Sequence, residues 1–87
     1  MSEQGRRMRN TVEPHMLEPG DYGKGAGGIW WCRPPGGIKG GNLAAHQVTE
    51  HEDGTITVSP SILITYSRSD GDRTWHGYLE RGVWREV

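Results

Sequence analysis

The chain reads as an all-β domain: a small antiparallel, sandwich-like sheet of about 5–6 short strands built from hairpins, preceded by an irregular N-terminal arm. Three observations predict it. From Ile29 onward, β-branched and aromatic residues alternate with polar ones. Gly, Pro and Asp clusters such as Asp53-Gly54, Asp70-Gly71 and Arg81-Gly82 punctuate those runs. All four tryptophans, Trp30, Trp31, Trp75 and Trp84, fall inside them. In 87 residues with 14 glycines and no phenylalanine, those indoles are the main material for a core. Each buries roughly 150–250 Å², which matters in a domain small enough to sit near the stability threshold.

Residues 1–28 are polar and interrupted by proline and glycine, without a hydrophobic period. Such a segment cannot offset the entropy of its own ordering by burial, so it reads as an arm that is flexible or ordered by a partner. Thr11 to Leu17 has room for one helical turn, limited by Pro14 and Pro19. Residues 29–87 form the β domain. Its first strand, Ile29-Trp30-Trp31-Cys32, ends at Arg33-Pro34-Pro35 because proline cannot donate to a ladder. Pro34 to Gly41 is a loop; Lys39 among its glycines does not make a phosphate cradle, lacking both the strand–loop–helix context and a Gly-Lys-Ser/Thr order.

His46 to Ser59 alternates on both sides of Asp53-Gly54, a hairpin signal. A three-residue loop with Gly54 in the left-handed region sets Val48 opposite Val58, whereas a two-residue turn would put Val48 on the wrong face. Ser59-Pro60-Ser61 marks a bend before Ile62 to Tyr66. Ser67 to Arg73 reads as an exposed connection. A tight turn at Arg81-Gly82 pairs Leu79 with Trp84 on the core face with Trp75, and sends His76 and Tyr78 to the other side. The expected core is therefore Trp75, Trp84, Leu79, Val58, Ile56, Ile62 and Ile64.

Composition limits the functional classes. A net charge of −1 argues against a dedicated nucleic-acid binder, and Arg6, Arg7 and Arg9 are the only basic cluster. A single cysteine closes no internal disulfide, and no apolar run approaches the roughly 18 residues of a membrane span. The expectation is a soluble cytoplasmic protein without a membrane partner.

Candidate chemistry is sparse. Cys32, His46, His51 and His76 are the residues able to ligate zinc, but none is paired at zinc-motif spacing. Cys32 reads first as a small buried side chain. A Cys-His-acid triad with Glu50 would need rigidity that a glycine-rich domain hardly supplies, and no glycine elbow surrounds Ser59 or Ser61. No catalytic residue is assigned. Trp30 and Trp31 are neighbours on one strand and must face opposite ways, so one is either exposed or roofed by the arm or the glycine loop. An exposed indole is a candidate anchor for a protein partner.

Trp30-Trp31-Cys32, Ser59-Pro60-Ser61-Ile62, Trp75-His76-Gly77-Tyr78 and Arg81-Gly82-Val83 together resemble a group of small uncharacterised proteins of bacteriophages and prophages, chiefly of actinobacteria. Some of these carry the label "ammonia monooxygenase". The resemblance spans about Gly28 to Val87. It implies a metal knuckle of a Cys-Pro-x-Cys-like turn and a later Cys-His pair, of which Cys32 and His76 match here. Pro34-Pro35-Gly36 and Trp75 stand where the other cysteines would be, so the knuckle is a relic and no copper or iron set survives.

The function expected is therefore non-enzymatic: a phage accessory protein that binds a host or phage protein through Trp30, Trp31 and Tyr78, in the host cytoplasm and without a cofactor. The alternatives are a virion component, capsid- or tail-associated through the 1–28 arm, and a degenerate zinc-binding mini-domain using Cys32, His76 and either His46 or His51. An open edge at Ile62 to Tyr66 or at the last strand would invite a second copy.

Overall fold

The computed structural model describes residues 2–36 and 40–87, with Arg68 by its backbone alone. The fold is all-β. In chain order the strands are β1 (Ser2–Gln4), β2 (Arg6–Val12), β3 (Asp21–Gly25), β4 (Trp30–Cys32), β5 (Gly41–Asn42), β6 (Gln47–Glu50), β7 (Ile56–Ser59), β8 (Ile62–Arg68), β9 (Gly71–Glu80) and β10 (Val83–Glu86). Short 3-10 turns occupy Pro14–Met16 and Ala26–Gly28. One sheet runs β1-β10-β9-β8, a second runs β2-β3-β4-β5, and β6 and β7 form a separate hairpin. All pairings are antiparallel except β2 with β3. Lys39, expected within the glycine loop, lies outside the described residues.

Both hairpin registers follow from their turn residues. Val48 pairs with Val58, and the Glu52-Asp53-Gly54 loop closes as the Gly54 N–H donates to the His51 carbonyl at 3.0 Å, with Gly54 at φ 86°. This is the three-residue loop, because glycine alone enters the left-handed region without steric cost. At the C-terminal turn, Arg81 (φ 47°) and Gly82 (φ 76°) both have positive φ, as in the two-residue turns whose twist matches the right-handed twist of the flanking strands, and Leu79 lies opposite Trp84. Ser59-Pro60 ends β7 and turns the chain into the other sheet, as a proline at a strand end should.

Trp75, Trp84, Leu79, Ile62, Ile56 and Val58 are buried in one cluster, and Ile64 packs on it half-buried. The Trp75 and Trp84 rings meet edge to face at 5.4 Å. Trp84 also donates its indole N–H to the Gly20 carbonyl at 3.0 Å, which satisfies the one polar atom that its burial would otherwise strand. Tyr22, Cys32 and Leu43 from the second sheet and its following loop complete the cluster.

The arm expected at 1–28 is instead part of both sheets. Ser2–Gln4 pairs with β10 and Arg6–Val12 pairs with β3, while Val12, Leu17 and Tyr22 are buried. The chain crosses between the sheets at Gly5, where a Cβ would lie 2.8 Å from Trp84 Nε1 and 2.9 Å from the Gly82 carbonyl. Only glycine fits there. What holds the segment is backbone pairing together with a bidentate Arg6–Asp21 contact, Nε to Oδ1 at 3.1 Å and Nη2 to Oδ2 at 3.0 Å. Asp21 is buried and also accepts the Glu18 N–H, so its carboxylate is compensated by hydrogen bonds.

The connection expected over Ser67 to Arg73 shrinks to a two-residue turn at Ser69-Asp70, because β8 and β9 stay paired out to Arg68 and Gly71. Polar residues on both faces hid this extension. The ribbon runs past the core, where it needs no apolar face.

Candidate protein-binding face

Alternation along β9 decides which side chains leave the core. Trp75, Gly77 and Leu79 point inward and are buried; Thr74, His76 and Tyr78 point outward. On β8 the same pleat buries Ile62 and exposes Leu63, whose side is shared with His76 because the two are cross-strand partners. Leu63 is 62% exposed, more than any other large aliphatic residue among the described ones except Val87. Beside it, Arg85 from β10 lies over the Tyr78 ring at 4.7 Å.

Ser61 knits this face to the hairpin. Its hydroxyl is 2.9 Å from His76 Nε2, and its carbonyl is 3.1 Å from His46 Nε2. A carbonyl only accepts, so His46 carries its proton on Nε2, while its buried Nδ1 has no hydrogen-bond partner among the described residues. The Ser-Pro-Ser-Ile and Trp-His-Gly-Tyr segments therefore meet in space, with Ile62 opposite Gly77. Sequence spacing carried no signal of this contact.

β8 lies at the rim of its sheet and has β9 as its one strand neighbour among the described residues. Its seven residues contain no proline or lysine, the features that usually blunt an edge. Alternate backbone N–H and C=O groups along it point away from β9, available to a further strand.

The other expected contact residues lie on the second sheet. Trp30 is half-buried against the core, and its ring is covered by cations, Arg7 at 4.8 Å and Lys24 at 5.0 Å. Both cations also reach Glu50, at 2.9 and 3.7 Å, and this holds the Glu50 carboxyl below its usual range, chiefly through the Arg7 hydrogen bond. Trp31 faces the other way, against Gly25, where a Cβ would lie 2.7 Å from its Nε1. Residues near the N-terminus thus cover part of Trp31, and Tyr78 alone of the three expected contacts shares the open sheet face with Leu63.

The potential zinc ligands do not converge. Cys32 is fully buried inside the core, and burial pushes its thiol up to about 12. His76 sits on the outward face of the opposite sheet. His51 Nε2 is 2.7 Å from Thr57 Oγ1 at the hairpin, and His46 is engaged with Ser61. Among the described residues no three His, Cys, Asp or Glu side chains are grouped to hold a metal ion. Nor does the Cys32-His-Glu50 triad assemble, since Glu50 is bound to Arg7 and Lys24. Ser61 and His76 are within proton-transfer distance, but no described side chain orients the second nitrogen of His76 as a nucleophilic pair requires.

Arg6, Arg7 and Arg9 are each engaged inside the molecule: with Asp21, with Glu50 and the Gly54 carbonyl, and with the Asp53 carbonyl. No family model, curated protein or solved structure matches the chain.

Proposed function

We propose that the chain is a non-enzymatic protein-binding module, of the small phage accessory kind that its motifs resemble, and that its partner adds an extended segment to the edge of β8. The observation that carries this reading is the open seven-residue edge with Leu63 exposed beside it. In this mode main-chain hydrogen bonds supply affinity, and the side chains flanking the edge supply selectivity. Leu63 offers an apolar anchor, and Tyr78 under Arg85 offers a flat amphipathic ring on the same face. The virion alternative has the 1–28 arm ordering along a neighbouring capsid or tail subunit; because residues of that segment pair within this chain's own sheets, we favour the accessory reading.

The test is affinity capture from the lysate of the bacterium that carries the gene, comparing the native sequence with Leu63→Lys. A lysine on an exposed edge is well tolerated by folds and hostile to strand addition. The proposal expects one dominant partner, lost by at least about 10-fold in the variant, which corresponds to roughly 1.4 kcal/mol, with unchanged thermal stability. A partner held equally by both proteins would remove β8 from the reading. A homodimer by sedimentation that Leu63→Lys dissolves would replace the foreign partner with a second copy.

A further inference from the structure

β1 pairs with β10 over three residues, Ser2, Glu3 and Gln4, and all three of their side chains are exposed. None of them makes a hydrogen bond or ion pair among the described residues. Register sets Glu3 on the inward side of the sheet, because its cross-strand partner Trp84 is buried there. A carboxylate does not enter an apolar interior unpaired, and Glu3 stays exposed. Ser2 and Glu3 share with Pro35, Trp75, Trp84 and Glu86 the lining of a cavity of about 170 Å³. The strand thus borders a void that its own inward residue does not fill.

One residue further on, the attachment changes. Gly5 is closely seated: its N–H donates to the Gly82 carbonyl at 2.7 Å, and a Cβ there would lie 2.8 Å from Trp84 Nε1 and 2.9 Å from Tyr22 Cε1. Arg6 follows with its backbone N–H on the Gly20 carbonyl and its guanidinium on Asp21. From Gly5 onward the chain is held by packing and an ion pair as well as by its backbone, whereas before Gly5 the backbone acts alone. Local stability follows buried apolar contact, so this boundary divides a piece that opens by itself from one that opens with the fold.

We infer that β1 is a displaceable strand, which leaves β10 as a unit while the fold from Gly5 onward stays closed. Its departure bares Val83–Glu86 as a second strand edge, at the rim of the first sheet opposite β8. β1 is thus an internal guard on that edge, in place in most molecules and away in a minority. The device is separate from the β8 reading and stands whether or not that reading holds.

Amide hydrogen exchange read by NMR on the full chain tests this, because neighbouring amides of β10 point opposite ways. Gly5 bonds to Gly82, so alternation along the ladder makes Glu3–Trp84 the next hydrogen-bonded pair, and the Trp84 N–H points to β1. Val87 bonds to the His76 carbonyl, so Tyr78–Arg85 is a hydrogen-bonded pair and the Arg85 N–H points to β9. The Trp84 amide should be at least about 10-fold less protected than those of Arg85 and Gly5, with little dependence on denaturant, as local opening requires. Glu3→Leu, which sets methyl groups against the cavity, should raise Trp84 protection about 10-fold, with the signals of β6 and β7 unmoved. Equal protection of Trp84 and Arg85, or a denaturant dependence at Trp84 that matches global unfolding, would show that β1 opens only with the whole sheet and would overturn the inference. Unchanged Trp84 protection in Glu3→Leu would overturn it as well, by removing the void as the cause.

Discussion

Cys32 shows how one buried atom sets both reactivity and pH dependence. Its thiol is enclosed by the core, and desolvation of the thiolate moves its ionisation from 9.0 to about 12. In the unfolded chain the same thiol ionises near its ordinary value. Above pH 9 the unfolded state therefore releases a proton that the folded state retains, and stability falls until the pH reaches about 12. The buried Tyr22 phenol shifts the same way, mainly by desolvation, and adds to that fall. Denaturant unfolding of the native sequence and of Cys32→Ala should give a stability difference that narrows as pH rises from 9 to 12. Iodoacetamide should label Cys32 only after unfolding. Rapid labelling of the folded protein at neutral pH would show a thiol in an electropositive, accessible setting, contrary to the one described.

Strands differ in how openly the sequence announces them. The β6–β7 hairpin and the β9–β10 turn were legible because Gly54 and Arg81-Gly82 fix register and the buried residues alternate around them. β2 and β3 were not. Arg-Arg-Met-Arg-Asn-Thr-Val and Asp-Tyr-Gly-Lys-Gly offer no apolar period, and their parallel pairing is held by the backbone and by Arg6–Asp21, which a search for hydrophobic alternation does not detect. The same blindness hid the buried Val12 and Leu17, and with them the part that residues 1–28 play in covering Trp31 and Tyr22. The candidate face was half legible: the outward direction of Tyr78 and His76 and a possible open edge follow from the pleat, whereas the Ser61 contacts to His46 and His76 depend on how the sheets meet. This places a clear demand on a shortened chain. Residues 29–87 alone lack a partner for one side of β10 and all of β2 and β3, so circular dichroism and amide NMR dispersion should show them unfolded. A cooperatively folded fragment would restore the independent arm.

At the scale of the whole molecule, the described residues form two four-stranded sheets and a hairpin that close around perpendicular indoles, and the arginines of β2 bond to groups of this same chain. What faces outward is uneven. One rim of the first sheet holds the open β8 with Leu63, and the other is formed by the short β1. The functional account depends on the first rim being completed by another chain. Hydrogen exchange read by mass spectrometry, on the protein free and with its captured partner, tests this most directly. Strand addition predicts that amides within Ile62–Arg68 gain protection in the complex, with little change in β6 and β7. Protection confined to the Trp30–Trp31 side, with β8 exchanging as fast as in the free protein, would contradict it.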